Sequence, residues 1–498
     1  MIKLYRTLIT LMVVFTSIQA FAYDFAEENE DGVTIYYNII SQEDKTCEVT
    51  YKDDSYNSYS GIVTIPSNVS YLDESYSVKI IGKYAFLECN NLTKVSISDN
   101  ITSIDDCAFY KCSKLNSLPI GDGLKLIGSK AFYQCTQLSE ITIPNSVTFI
   151  GSNAFEGCTH VTSISIGNAV TTIGDNAFID CNRCTTINFN ATNCTYMGNS
   201  SNTVFKNCSK LNTLCIGDNV KTIPNYAFKG CGSLVSVNMS NSVTSIGSYA
   251  FYECTNLSSI SIPNSVISIK NFSFAYCKSL TSVTIPNSVT SIEESVFAHC
   301  SGIIEFVIPN SVSSIGSGAF NNCSGLTDVS IGNSVTTIGD NAFQNCSSLK
   351  SISFPNSVTK IRSYSFANCI GLTSLTIPES ITRIGSKAFE NCSGLKSIFF
   401  NATNCTDMGS SSGPVFKGCD NVEIFKIGDN VKIIPSYAFM GCSSLQTITI
   451  PNSVTSIGAS AFQYCSELLS VEIPNSVTSI GEKAFYECTG LLSVDLPN

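Results

Sequence analysis

Apolar positions along this chain follow a spacing that changes within each short block and then repeats. In residues 138–158, LSEITIPNSVTFIGSNAFEGC, the apolar skeleton is Leu138, Ile141, Ile143, Val147, Ile150, Ala154, Phe155 and Cys158. Steps of two, three and four residues fit neither one helix nor one long strand. Ile141-Thr142-Ile143 alternates as a short strand should. Pro144-Asn145-Ser146 ends that strand and turns the chain, so that Val147 and Ile150 line a second side of a coil. Gly151 permits a tight bend, and Ser152–Cys158 predicts one short helical or 3-10 turn.

The block recurs. Phe-x-x-Cys occurs in 18 copies, from Phe86/Cys89 through Phe155/Cys158, Phe251/Cys254 and Phe343/Cys346 to Phe485/Cys488. The spacing is 23 residues except for two steps of 27, Cys181 to Cys208 and Cys392 to Cys419. One such coil cannot enclose its own apolar face, whereas stacked coils bury a continuous core. The expected fold is a repeat solenoid, mainly β with short helical or 3-10 turns, about 85 Å long at the usual strand spacing. Alternation over 33–51 (Val33, Ile35, Tyr37, Ile39, Val49, Tyr51) predicts a β-hairpin, and residues 23–61 are read as an N-terminal β cap on a solenoid spanning 62–498. Nine extra residues in the first repeat, around Tyr71–Ser77, are expected to bulge as a loop. The two long units match each other, NATNCTYMGNSSNTVFKNC against NATNCTDMGSSSGPVFKGC, 211 residues apart. A block of nine repeats was therefore duplicated, and its insertions, near 190–203 and 401–414, should project small polar loops from one edge.

The pattern L-x-x-I-x-I-P-x-x-V-x-x-I-G-x-x-A-F-x-x-C resembles the leucine-rich repeats of the BspA-like family over residues 62–498, and residues 32–65 look like that family's lead-in. The resemblance implies a surface or secreted protein of the kind found in anaerobic gut and oral bacteria and some parasitic protists. Some members are linked to binding host matrix proteins or other bacteria. No catalytic residues come with it.

Composition narrows the function. The chain is 43% hydrophobic and only 13% charged, which argues against long disorder. Its 28 basic and 39 acidic residues give −11, no electrostatic footprint for nucleic acid. Lys3 and Arg6, the apolar run Leu8 to Ile18, and Ala20-Phe21-Ala22 have the layout of a signal peptide cut after Ala22. No later stretch approaches membrane length. The 24 cysteines invite disulfides, yet 18 share one repeat position, where in-register Cβ vectors run parallel and free buried thiols are expected. Cys181 and Cys184 form the one C-x-x-C, but Cys184 stands where other units place Leu, a core position. No metal-ligand set, cofactor fingerprint or catalytic constellation is evident. The two histidines, His160 and His299, read as exposed.

What remains is surface. The positions five and seven after each Cys should face outward from the first strand, and the former is Ser or Thr in 13 of 18 units. The clearest departure is Phe399, Glu423, Ile424 and Lys426, where exposed apolar groups adjoin charge as a docking site requires. The expected function is a non-catalytic, exported adhesion or binding scaffold at the cell surface, with a protein or glycan ligand on host or other cells. The alternative is a passive surface-layer, spacer or antigenic-variation protein without a specific ligand.

Overall fold

The computed structural model describes residues 22–117 and 120–495; the leader read over 1–22 lies, but for Ala22, outside them. Strands β1 (Phe25–Glu28), β2 (Thr34–Ser41) and β3 (Thr46–Thr50) form an antiparallel meander, which contains the hairpin expected over 33–51. Ile35, Tyr37, Cys47 and Val49 point inward and join the same apolar core as the coils. β4 (Gly61–Thr64) pairs in parallel with β7 (Leu92–Ser96). β5 (Asn68–Tyr71) and β6 (Glu74–Ile81) make a second hairpin, which replaces the loop expected around Tyr71–Ser77. Leu72 and Asp73, with φ of 53° and 62°, build a two-residue turn whose twist suits the flanking strands. β6 then pairs with β3 on one edge and with Ser103–Ile104 on the other. The meander thus covers the edge that the first coil would leave bare.

Beyond β7 each coil adds short parallel strands in register. Glu140–Thr142 pairs with Ser163–Ser165, Ile141 opposite Ile164, and Phe149–Ile150 pairs with Thr172–Ile173, Ile150 opposite Ile173. All eight skeleton residues of the 138–158 coil are buried. The result is an 18-coil solenoid.

The third side of the coil differs from the expected helical or 3-10 turn: there is no helix among the described residues. The Glu156 and Cys158 amides donate to carbonyls three residues back, but the intervening Phe155 and Gly157 amides donate to Ala177 and Ile179 of the next coil. Left-handed residues four apart, Asn153 (φ 58°) and Gly157 (φ 73°), turn alternate amides outward, so a right-handed helix cannot propagate. Each coil end thereby shares its amides between its own turn and the next coil.

Gly151 is needed for close approach rather than for its bend. Its φ is not positive, and an added Cβ would lie 2.4 Å from the Ser129 amide nitrogen of the preceding coil. Lys270 and Glu293 replace this glycine in consecutive coils, and there the second-strand ladder is interrupted, between Ser268–Ile269 and Ser291–Ile292. Arg362, between Gly339 and Gly385, leaves the ladder intact. Pro224 and Pro435 also stand in this column, each after an insertion, and the ladder is interrupted there too, since proline has no amide hydrogen to donate. Gly151→Ala and Gly339→Ala would set a methyl 2.4 and 2.6 Å from the preceding coil's backbone, and each is expected to cost about 1–3 kcal/mol. Urea unfolding of the two variants checks this, and a loss below about 0.5 kcal/mol in both refutes it.

The repeat phenylalanines form one stack through the core. From Phe86 to Phe416 successive rings lie 4.8 to 5.8 Å apart within 21° of parallel. Phe425, at a strand position where neighbouring coils carry Ile398 and Ile448, then wedges in, 6.2 Å from Phe416 and 4.0 Å from Phe439. On the turn side Asn322, Asn345, Asn368 and Asn391 form an amide ladder, each donating to the one before.

Each insertion divides in two. Spacing to the preceding coil is 24 residues at Tyr196 opposite Thr172, and 27 at Phe205 stacked on Phe178. One extra residue is therefore absorbed in the first bend, and three form a small polar turn over 199–202. Asp175 ties down that turn, accepting from Tyr196 Oη (2.6 Å), Asn199 Nδ2 (2.8 Å) and Asn202 Nδ2 (3.1 Å). In the duplicate, Ser386 takes the place of Asp175 and reaches only Ser410 Oγ at 3.2 Å.

Candidate binding face

The first strands of successive coils make a flat parallel face. Of its outward serines five after each Cys, Ser259, Ser282, Ser351 and Ser374 are exposed, while Ser163 and Ser397 are half-buried. Threonines one residue earlier are engaged: Thr162, Thr185, Thr281 and Thr327 each donate Oγ1–H to a carbonyl of the preceding coil, at 3.1 to 3.2 Å. The hydroxyl-rich surface is therefore partly structural.

On this face Phe399 lies directly beside Lys426, and Ser397 beside Ile424. Phe399 is half-buried, Lys426 and Glu423 are exposed, and Ile424 is 56% exposed. Three of the four expected residues thus share one patch. Glu423 sits at the corner before the strand, its amide bonded to the Lys396 carbonyl. The sequence reading missed a second patch, Ile304 and Val307, which are 53% and 65% exposed. With Glu305, Ser282 and Thr284 they line a shallow depression of about 780 Å³. The signal was present, since Val307 occupies the position seven after Cys300. Four coils separate Val307 from Phe399, about 20 Å at normal strand spacing.

The repeat cysteines are structural. All 24 are free, and all but Cys107 and Cys215 are buried. The repeat thiols donate to the Phe carbonyl of the preceding coil, as from Cys158 to Phe132 (3.4 Å), Cys254 to Phe228 (3.4 Å) and Cys346 to Phe320 (3.2 Å). Burial pushes the thiols of Cys158, Cys323 and Cys369 up to about 12, so they stay protonated and inert. Cys184 is buried, donates to the Thr186 carbonyl at 3.4 Å, and is likewise pushed up, to about 11.

The histidines are not exposed as expected; both are half-buried. His299 lies flat on Tyr276, 4.1 Å between centroids at 9°. Burial and the neighbouring Lys278 ammonium hold its imidazole below the usual histidine range, so it is neutral at pH 7. Its position before Cys300 hid this stacking, because only register shows that Tyr276 lies one coil away.

Comparison with known proteins agrees with this geometry. A family model described as BspA type leucine rich repeat region (6 copies) matches residues 79–202, 199–327, 313–412 and 410–498. The crystal structure of a leucine-rich repeat protein from Bacteroides ovatus is similar at 27% identity and TM-score 0.54, over 95% of this chain and 100% of that one. A leucine rich cell surface protein from Faecalibacterium prausnitzii matches at 22% identity and TM-score 0.29, over 95% and 94% of the two chains. A leucine-rich repeat protein from Eubacterium ventriosum matches at 19% identity and TM-score 0.36, over 93% and 94%. No curated protein matches.

Proposed function

We propose, from the premise that this chain belongs to the BspA-type leucine-rich repeat family, that it is an exported, non-catalytic scaffold that holds a protein ligand at the cell surface. The observation that carries this reading is the patch of Ile424, Phe399 and Lys426 on a rigid face whose other outward residues are mostly hydroxyls. An exposed apolar pair beside a cation desolvates well against a partner. The Ile304–Val307 patch offers a second contact on the same face, and two weak contacts on one rigid scaffold reinforce each other. Export rests on the basic-apolar-small layout of residues 1–22.

The test is saturable binding of host matrix proteins and whole bacteria to the immobilised protein. Ile424→Asp is expected to weaken binding at least tenfold, about 1.4 kcal/mol, and to leave the melting temperature unchanged because the side chain is exposed. Absence of saturable binding across the panel would favour the passive spacer instead.

A further inference from the structure

A different side of the solenoid carries a second feature. On the turn side, Tyr226, Tyr249 and Phe272 occupy one repeat position in consecutive coils, all left-handed (φ 61°, 58° and 59°). They stack at 5.2 and 4.8 Å, within 14° of parallel. The column stops at Phe272, because the next coils place Ser295 and then Gly318 there. A second column, Tyr276 on His299, stops at the following coil, where Asn322 begins the amide ladder. Between the columns the coils carry Tyr252, Ala275, Ala298 and Asn321. A groove of about 370 Å³ results, with Ala298 among its lining residues, Phe272 and His299 at its aromatic end, and Asn321, Asn341 and Gln344 at its polar end. Tyr252 to Asn321 spans three coils, about 14 Å at normal strand spacing.

We infer that this groove binds one or two neutral pyranose rings of a glycan. The open face of Phe272, where the stack lacks its next rung, can take the C–H face of a sugar in place of another ring, as quadrupolar ring faces favour polarised C–H groups. The far end supplies what vicinal hydroxyls need. Gln344 Oε1 accepts from Asn321 Nδ2 at 2.9 Å, and among the described residues no protein acceptor takes the Gln344 NH₂, which leaves two donors for the ligand. Glu294 adds a carboxylate acceptor at the rim, and neither Lys nor Arg lines the groove. Lys229, over the Tyr249 and Tyr252 rings, and Lys278, beside His299, stand behind that lining. The Glu294 carboxylate at the rim disfavours phosphate and sialic acid, while ring faces with a few convergent polar groups suit a neutral ring. The inference is independent of the strand-face patch, which lies on another side of the coil.

The test uses the full chain with maltotriose, cellotriose, mannotriose, N-acetyllactosamine and 3′-sialyllactose, followed by saturation-transfer NMR and by tyrosine emission, which dominates because the chain has no Trp. At least one neutral sugar is expected to bind. Phe272→Ser should weaken it about tenfold or more. Ser295→Tyr should abolish it, because the new ring continues the column into the groove. Ser295 already has the left-handed backbone (φ 53°) that Phe272 adopts one coil earlier (φ 59°) and Tyr249 two coils earlier (φ 58°), so this variant should melt at or above the parent temperature. Ile424→Asp should leave sugar binding intact, which separates this site from the protein-binding face. The inference is overturned if none of the neutral sugars shows saturable binding. It is equally overturned if only 3′-sialyllactose binds, or if binding survives Ser295→Tyr.

Discussion

Raising the pH above about 9 is expected to unfold the solenoid steeply, with a far larger pH dependence than an ordinary domain shows. Burial pushes the thiols of fourteen repeat cysteines above their ordinary range, in coils from Cys89 to Cys442. The sign follows from protons bound. Below about pH 8.5 a cysteine is protonated in both the folded and unfolded states and contributes no slope. Between there and about 12, where Cys158 and Cys323 titrate when folded, the unfolded chain has lost protons that the folded one keeps. Stability then falls with pH by about 1.4 kcal/mol per unit for each such thiol. Five coils opening together lose about 7 kcal/mol per pH unit, comparable to the whole stability of a typical domain. Circular dichroism against pH should show a cooperative loss of β signal within about one unit above pH 9, reversible under reducing conditions. Below pH 8 iodoacetamide should leave the repeat thiols unmodified unless guanidinium is present. Replacing Cys300, Cys323, Cys346, Cys369 and Cys392 with Ala should flatten the slope, whatever it does to stability at neutral pH. An unchanged slope in that variant would show that the thiols are not the cause.

The second large effect is expected from Phe320→Ala. Phe320 is fully buried, stacked on Phe297 at 5.7 Å and Phe343 at 5.1 Å, with Phe306 edge-on at 4.6 Å. Truncating a buried Phe costs about 3–5 kcal/mol, and each aromatic pair adds about 0.5–1.5 kcal/mol beyond area burial. In a quasi-one-dimensional array the loss falls on two neighbouring interfaces, not on the molecule as a whole. Urea unfolding should therefore split into two transitions, with amide exchange accelerated in the coils around Phe297 and Phe343 and unchanged near Phe109. Phe320→Leu, which keeps most of the volume, should retain a single transition. A single transition shifted by less than about 1 kcal/mol in the Ala variant would mean that the core is not coupled through its rings.

The strand-face patch was readable in advance because it depends only on register. A residue 23 or 27 places away is its neighbour across the ladder, so the pairing of Phe399 with Lys426 follows from counting. The same counting would have found Val307. The sugar groove was not readable, since it forms where three columns meet. It depends on which ring faces are left uncovered when Phe272 is followed by Ser295 and Gly318, and on His299 lying flat on Tyr276.

The amino-acid pattern alone determined the period, the buried set and the in-register stacking, because a coil with this apolar skeleton can hide it only against copies of itself. Folding in three dimensions decided the rest. Left-handed residues at Asn153 and Gly157 turn the third side into an inter-coil ladder instead of a helix, and the segment around Leu72 and Asp73 becomes a hairpin because β6 has strands to pair with on both edges. Phe425 interrupts the ring stack. Each outcome turned on where backbone amides and ring faces find partners in the neighbouring coil. That is a matter of distance and orientation between coils, which no spacing along a single chain encodes.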